Sequence, residues 1–135
     1  MPKTPVPPET EEFLQGPNIA VIATLRPDGR PHTVPTWYEW ADGRILVNMD
    51  RTRRRLEHLR NDARVAFTVM APDDWYSHVS FLGDVVEIRE DPDLADIDRL
   101  SLRYRGEPYH NRGRESMTAL IEPASWSGWG RFAER

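Results

Sequence analysis

Six arginines, Arg51, Arg53, Arg54, Arg55, Arg60 and Arg64, fall within one 14-residue stretch. A guanidinium carries a fixed charge and a planar fork of donors that matches phosphate and carboxylate. Five of the six precede Asn61, at or inside a segment with the pattern of a short helix. A helix start presents unpaired backbone N–H groups and the positive end of the dipole. Arginines placed there describe an anion site for phosphate or carboxylate. The competing reading is a solvated helix face paired with Glu57 and nearby acids.

Other chemistry is sparse. His32, His58, His78 and His110 form no HxH, HxxxH or HExxH pair, so no metal site is expected. His78 shares a strand face with Tyr76 and is the histidine placed to look into a pocket. There is no GxSxG elbow and no glycine-rich phosphate loop. With no cysteine, thiolate catalysis, disulfides and cysteine metal sites are all excluded. Arginines, aromatics and backbone amides remain, an inventory that suits an anionic cofactor carrying the reactive group itself.

The elements that must position these residues read as one β-rich domain. Residues 1–8 hold Pro2, Pro5, Pro7 and Pro8 and read as an extended arm before a single domain at 9–135. Glu9–Gln15 suits a short helix ending at Gly16. Asn18–Leu25 is apolar on both faces, as in a buried strand. Pro31–Trp40 and Arg44–Met49 read as two further strands, which short turns join into a three-stranded meander. Trp37 and Glu39 would then face opposite to Tyr38 and Trp40. Asp50–Asn61 is the arginine helix, with Asp50 or Thr52 as N-cap and Leu56 and Leu59 facing inward. Strands at Ala63–Met70 and Tyr76–Arg89 follow, the second with a bend or bulge at Gly83. A helix from Pro92 to Tyr104, a loop over Gly106–Gly113 and a last strand at Ser116–Glu122 complete the chain.

Composition narrows the class. The 135 residues carry 22 acidic against 18 basic side chains, a net charge of −4, and 17 of the 18 basic residues are arginine. That balance, with no helix-turn-helix pattern, disfavours nucleic acid. No apolar run is long enough to span a membrane, and the first residues lack a secretory apolar core, so a cytoplasmic protein is expected.

The run IAVIATLRPDGRPHTVPTWYEW, then RILVNM, then RTRRRLEHLRNDARVAFTV, resembles the pyridoxamine-phosphate-oxidase-like split β-barrels. It is similar in particular to their flavin/deazaflavin oxidoreductase branch, usually described as coenzyme F420-dependent. FLGDVVEI, RYRGEPY and the closing IEPASWSGWG agree, so the likeness spans roughly residues 10–130. It implies a mainly β (α+β) fold, a six- or seven-stranded antiparallel split barrel with two to three short helices. It also implies a homodimer with cofactor at the interface. The resemblance carries cofactor-phosphate contacts onto Asn48, Met49, Thr52, Arg53 and Arg55, and the flat ring onto Thr33, Val34, Pro35 and Thr36. Tyr76 and His78 match positions at the pocket rim or from the partner subunit and could relay a proton. Relatives often have Gly-Arg-x-Lys where this chain has Thr52-Arg53-Arg54-Arg55. Arg51, Arg54 and Arg60 exceed the needs of one phosphate and suit the polyglutamate tail of coenzyme F420 better than they suit FMN. The expected function is hydride transfer from reduced coenzyme F420 to an unsaturated small molecule. The alternatives are an FMN-dependent oxidase or reductase, or a non-catalytic flavin, deazaflavin or haem binder.

Overall fold

The computed structural model describes residues 1–133. Its elements are α1 (Pro8–Leu14), β1 (Ile19–Leu25), β2 (Pro31–Thr36), β3 (Glu39–Ala41), β4 (Arg44–Asp50) and α2 (Arg54–Asn61). They continue with β5 (Arg64–Ala71), β6 (Asp74–Glu90), α3 (Ala95–Arg105), β7 (Ser116–Trp129) and a 3-10 turn at Gly130–Phe132. All strand pairs are antiparallel, in the order β2-β1-β5-β6-β7-β4-β3.

Period-two alternation dictates what lies inside. Ala20, Ile22 and Thr24 of β1 point inward, as do Val65, Phe67 and Val69 of β5. They join Ile45 and Val47 of β4, Phe81 of β6 and Ile121 of β7 in one core, which Leu56 and Leu59 of α2 cap. Strands from the whole sheet meet in that cluster, so the sheet curls around it. Each large side chain buried there contributes about 1.5–3 kcal/mol. A smaller cluster on the opposite side of β4 joins Leu46 to Leu94, Ile97 and Leu100 of the α3 segment.

The meander expected over the first three strands does not form. Pro31–Trp40 breaks into β2 and β3 at Trp37-Tyr38, and the two pieces lie at opposite ends of the sheet order. Tyr38 accounts for the break, because its fully buried ring carries its hydroxyl into the core. There it donates to Leu14 O at 2.7 Å and accepts from Asn18 Nδ2 at 2.9 Å. Burial raises the phenol's pKa, so it stays a neutral donor. The expected division of side chains survives the break: Tyr38 and Trp40 pack on the main core and Trp37 on the α3 side.

Three boundaries also move. Neither Asp50 nor Thr52 caps α2; Asp50 Oδ1 instead accepts from Thr52 N at 3.0 Å and Thr52 Oγ1 at 2.8 Å, which closes a turn ahead of the helix. Helix α3 starts at Ala95 rather than Pro92, because Asp91 takes the N–H groups of Asp96 and Ile97 from outside the helix. β7 runs on past Glu122 to Trp129, with Pro123, which has no N–H, opposite a register shift at Leu82/Gly83. The bend expected at Gly83 is that shift, where a β-carbon would collide with the Glu122 carbonyl.

The proline-rich arm lies along the far half of β7. Trp126 N donates to Pro2 O at 2.9 Å, Thr4 N reaches Ala124 O, and Val6 enters the main core. It runs beside β7 and lines neither of the cavities described below.

Candidate functional site

Two adjoining cavities open where β2, β4, α2 and the segment before β7 converge. The first, ≈ 450 Å³, is walled by Trp37, Tyr104, Tyr109, Ile97 and Leu100. The second, ≈ 580 Å³, is lined by His32, Val34, Thr52, Arg53 and Arg54. Pro35, Arg55 and Arg114 border both.

Each wall has a local cause. The Trp37 ring stacks on Tyr104, with planes 8° apart and centroids 5.5 Å apart, while Tyr109 meets Trp37 edge-on. Tyr104 is anchored by donating its hydroxyl to Asn18 O at 2.7 Å, and burial pushes its phenol up to about 12. Arg114 is held by neutral partners. Its Nε and Nη2 both donate to Asn48 Oδ1 at 3.2 Å, and its Nη1 donates to the Tyr109 hydroxyl at 3.2 Å. Asn48 is itself buried, with Nδ2 donating to Ser116 Oγ and Thr118 Oγ1.

The electrostatics follow from what is missing around these cations. Among the described residues, no carboxylate lies within ion-pair distance of Arg53, Arg54, Arg55 or Arg114, and none lines either cavity. Other arginines of the cluster are already neutralised: Arg51 pairs with Glu90 at 2.9 Å and Arg64 with Asp62 at 2.7 Å. Burial, then the charges of Arg53 and Arg114, lower the pKa of Arg55. No side chain caps the first turn of α2 beside them. Like charges gathered without a counter-ion favour an anion between them.

The structure brings part of the expected site together. Val34, Pro35, Thr36, Thr52, Arg53 and Arg55 all line the cleft, and Thr33 lies on β2 beside them. Asn48 lines it too, but with its amide committed to the interior and to Arg114. Met49 turns its side chain into the main core, leaving only its backbone for a ligand. Arg60 is exposed on α2 and lines neither cavity. Tyr76 and His78 also line neither cavity of their own chain. Tyr76 is exposed and stacks on Trp75, and His78 Nδ1 sits 3.0 Å from Tyr76 O.

Sequence reasoning missed Arg114, Tyr104 and Tyr109. Arg114 follows Arg112 at the end of a Gly/Pro-rich loop, and nothing in its spacing singles it out; only the pairing of β4 with β7 sets it beside Asn48. It also missed the His32–His58 pair, whose rings meet edge-on at 5.6 Å next to Arg54.

The donor set fits a phosphorylated, flat cofactor. Fixed cations and an open helix start gather at one end, and β2 offers the small, uncharged Thr33 and Pro35 for a ring. Similar proteins place the chain more firmly. A protein described as F420 reductase is 28% identical, covering 90% of this chain and 98% of its own, with a TM-score of 0.82. A conserved hypothetical protein from Mycobacterium tuberculosis is 26% identical, covering 94% and 86%, with a TM-score of 0.72. General Stress Protein 26 from Bacillus anthracis, 20% identical over 90% of this chain and 94% of its own, shares the fold at a TM-score of 0.66. Residues 6–129 match the family model for pyridoxamine 5'-phosphate oxidase. With a seven-stranded antiparallel sheet curled around one core and a basic cleft at the start of α2, the chain belongs to the pyridoxamine 5'-phosphate-oxidase-like split β-barrels and resembles the F420 reductase among them.

Proposed function

We infer that the protein is an oxidoreductase that holds coenzyme F420 in this cleft and reduces an unsaturated small molecule. The observation that carries the reading is the run of three arginines, Arg53, Arg54 and Arg55, without carboxylate partners among the described residues and lining two adjoining cavities. A single phosphate needs fewer cations, and a tail bearing several carboxylates uses the surplus. Similarity to an F420 reductase supports the same choice.

When bound, the reduced deazaflavin supplies a hydride. The chain's own task is to bind, orient and exclude water. Thr52, Arg53 and Arg55 hold the phosphate, Thr33 to Thr36 support the ring, and Arg54 faces the acidic tail. Among the described residues no carboxylate lines the cleft, and in this reading the reactive group comes from outside the chain.

A second copy completes the site in this reading. The outward face of the sheet carries rows such as Pro35–Val21–Thr68–Ser80–Ser127 and Ile19–Met70–His78–Trp129. These rows hold no acidic residue, lysine or arginine, and the second ends in exposed Trp129; Trp75 and Tyr76, near the start of β6, are exposed too. Covering that face with a twin would bring the partner's Tyr76 and His78 towards the cofactor, where either could relay a proton.

Native mass spectrometry with a cofactor panel tests the reading, because it reports ligand and dimer together. Colourless protein whose tryptophan fluorescence is quenched by micromolar coenzyme F420, and not by FMN, is the expected result. A yellow protein with flavin absorbance would favour FMN, and a Soret band would favour a haem carrier. A bound reduced cofactor that turns over with no acceptor in a broad panel would leave a binding protein only.

A further inference from the structure

We propose that the aromatic cavity is the acceptor site and that its acceptor is a flat, conjugated molecule bearing a carboxylate, which Arg114 receives. The proposal rests on the preceding reading in one respect, that the cofactor's anionic end lies among Arg53 to Arg55.

The shape comes first. Trp37 and Tyr104 are nearly parallel, and Tyr109 stands at 85° to Trp37. Flat walls of this kind, with aliphatic side chains from α3 behind them, recognise a planar π-system through stacking and edge contacts. The volume of ≈ 450 Å³ suits one small molecule.

The charge comes next. Arg114 has five N–H donors, and the structure uses three of its nitrogens on two neutral oxygens, Asn48 Oδ1 and the Tyr109 hydroxyl. Its guanidinium also sits over the Tyr109 ring, 4.8 Å from the centroid. These contacts fix the fork without cancelling its charge, so little freedom remains to be lost when a carboxylate arrives. Asn48, 5% exposed and bonded to Ser116 and Thr118, makes this mount part of the buried interior.

Location separates this anion site from its neighbour. Of the two cavities, Arg53 and Arg54 line only the second, whereas Arg55 and Arg114 border both. A phosphate finds more cations on the α2 side. An acceptor's carboxylate on Arg114 would set the attached π-system against Trp37 and Tyr104, across Pro35 from the ring-supporting strand.

The test titrates cinnamate and 2-naphthoate, each beside its neutral amide, into the full chain. Calorimetry reads binding with and without saturating coenzyme F420. The acids should bind about tenfold tighter than the amides, the scale of one charge-assisted hydrogen-bonded contact. Arg114→Gln should erase that difference while leaving amide binding within about twofold. Tyr109→Phe, which removes one anchor, should weaken the acids severalfold and spare the amides. Arg44→Ala, at an exposed ion pair with Glu122 outside both cavities, should change neither probe, and circular dichroism checks that each variant is folded. Equal binding of acid and amide to the unaltered chain would overturn the proposal. Competitive displacement of the probe by coenzyme F420 would also overturn it, since the cofactor ring would then fill the cavity. If coenzyme F420 does not bind at all while the acid–amide difference persists, the cofactor reading fails and the carboxylate site stands.

Discussion

Across 66 residues of sequence, Asn48 Oδ1 receives both Nε and Nη2 of Arg114 at 3.2 Å. The amide therefore serves the cleft through the arginine as well as through its own position. Asn48→Ala would leave Ser116, Thr118 and Arg114 each short of a partner. We expect a loss of about 1–3 kcal/mol in denaturant unfolding together with weaker anion binding. Unchanged stability would show that water replaces the amide.

Replacing Arg53 and Arg55 with alanine removes two cations that have no carboxylate partner within ion-pair distance among the described residues. Coenzyme F420 affinity should fall by about 10²-fold or more, from about 1.5–3 kcal/mol for each lost charge-assisted contact. Fluorescence titration measures it, and the remaining affinity should depend less on salt. Unaltered affinity would move the phosphate away from α2.

Thr68 lies near the middle of the outward sheet face and shares a hydrogen bond with Ser80 at 2.9 Å. A charge buried there on assembly would be unpaired and costly. Thr68→Arg should yield monomers at micromolar concentration in analytical ultracentrifugation and should lower cofactor affinity with them. Dimers that persist in this variant would place the contact on another face.

His58 is buried, with its Nδ1 2.8 Å from the Thr24 hydroxyl. Burial, then His32 and Arg26, lower its pKa below the usual 6.5, with Arg54 adding slightly and Glu57 opposing. The unfolded chain thus binds more protons in the interval below 6.5, and stability must fall as pH falls through it. Melting temperatures between about pH 7.5 and 5.5 should show that decline, and His58→Asn should flatten it. A flat profile for the unaltered protein would mean that the ring is protonated in place.

Gly83 faces the Glu122 carbonyl at the bulge between β6 and β7. Gly83→Ala forces that backbone apart and should cost about 1–3 kcal/mol, read as a lower melting temperature. A neutral effect would show that the bulge can shift.

Much of the fold was legible because strands with one buried face write their period into the sequence. β1 and β5 form where strands are read, although β1, apolar on both faces in sequence, fully buries only alternate residues, and Leu56 and Leu59 turn inward as their spacing implies. What failed were decisions made by distant partners. Pro31–Trp40 is rich in β-branched and aromatic residues, and where it breaks, Tyr38 and Trp37 are held by distant partners, Leu14 and Asn18 at the Tyr38 hydroxyl and Tyr104 against the Trp37 ring. The same limit governs the site. A dense arginine run is visible in the sequence, whereas Arg114 gains its meaning from Asn48 and Tyr109, which no spacing rule connects to it. Tyr76 and His78 carry a role only if a second chain supplies their surroundings.

The sheet order also constrains how the chain assembles itself. β4 pairs with β7 through Ile45↔Ile121 and Val47↔Ala119, partners that emerge late in synthesis. Until then its apolar residues have only the short β3 beside them. Closing so long a loop is slow, and a waiting apolar strand is open to wrong partners. The arginine-bearing α2 follows β4 directly and separates it from β5. Like charge of this kind opposes association between copies, and here it lies beside the strand in the interval when that strand is most exposed. The arginines proposed to receive an anion in the finished protein thus stand next to the strand that waits longest for its partner while the barrel is being made.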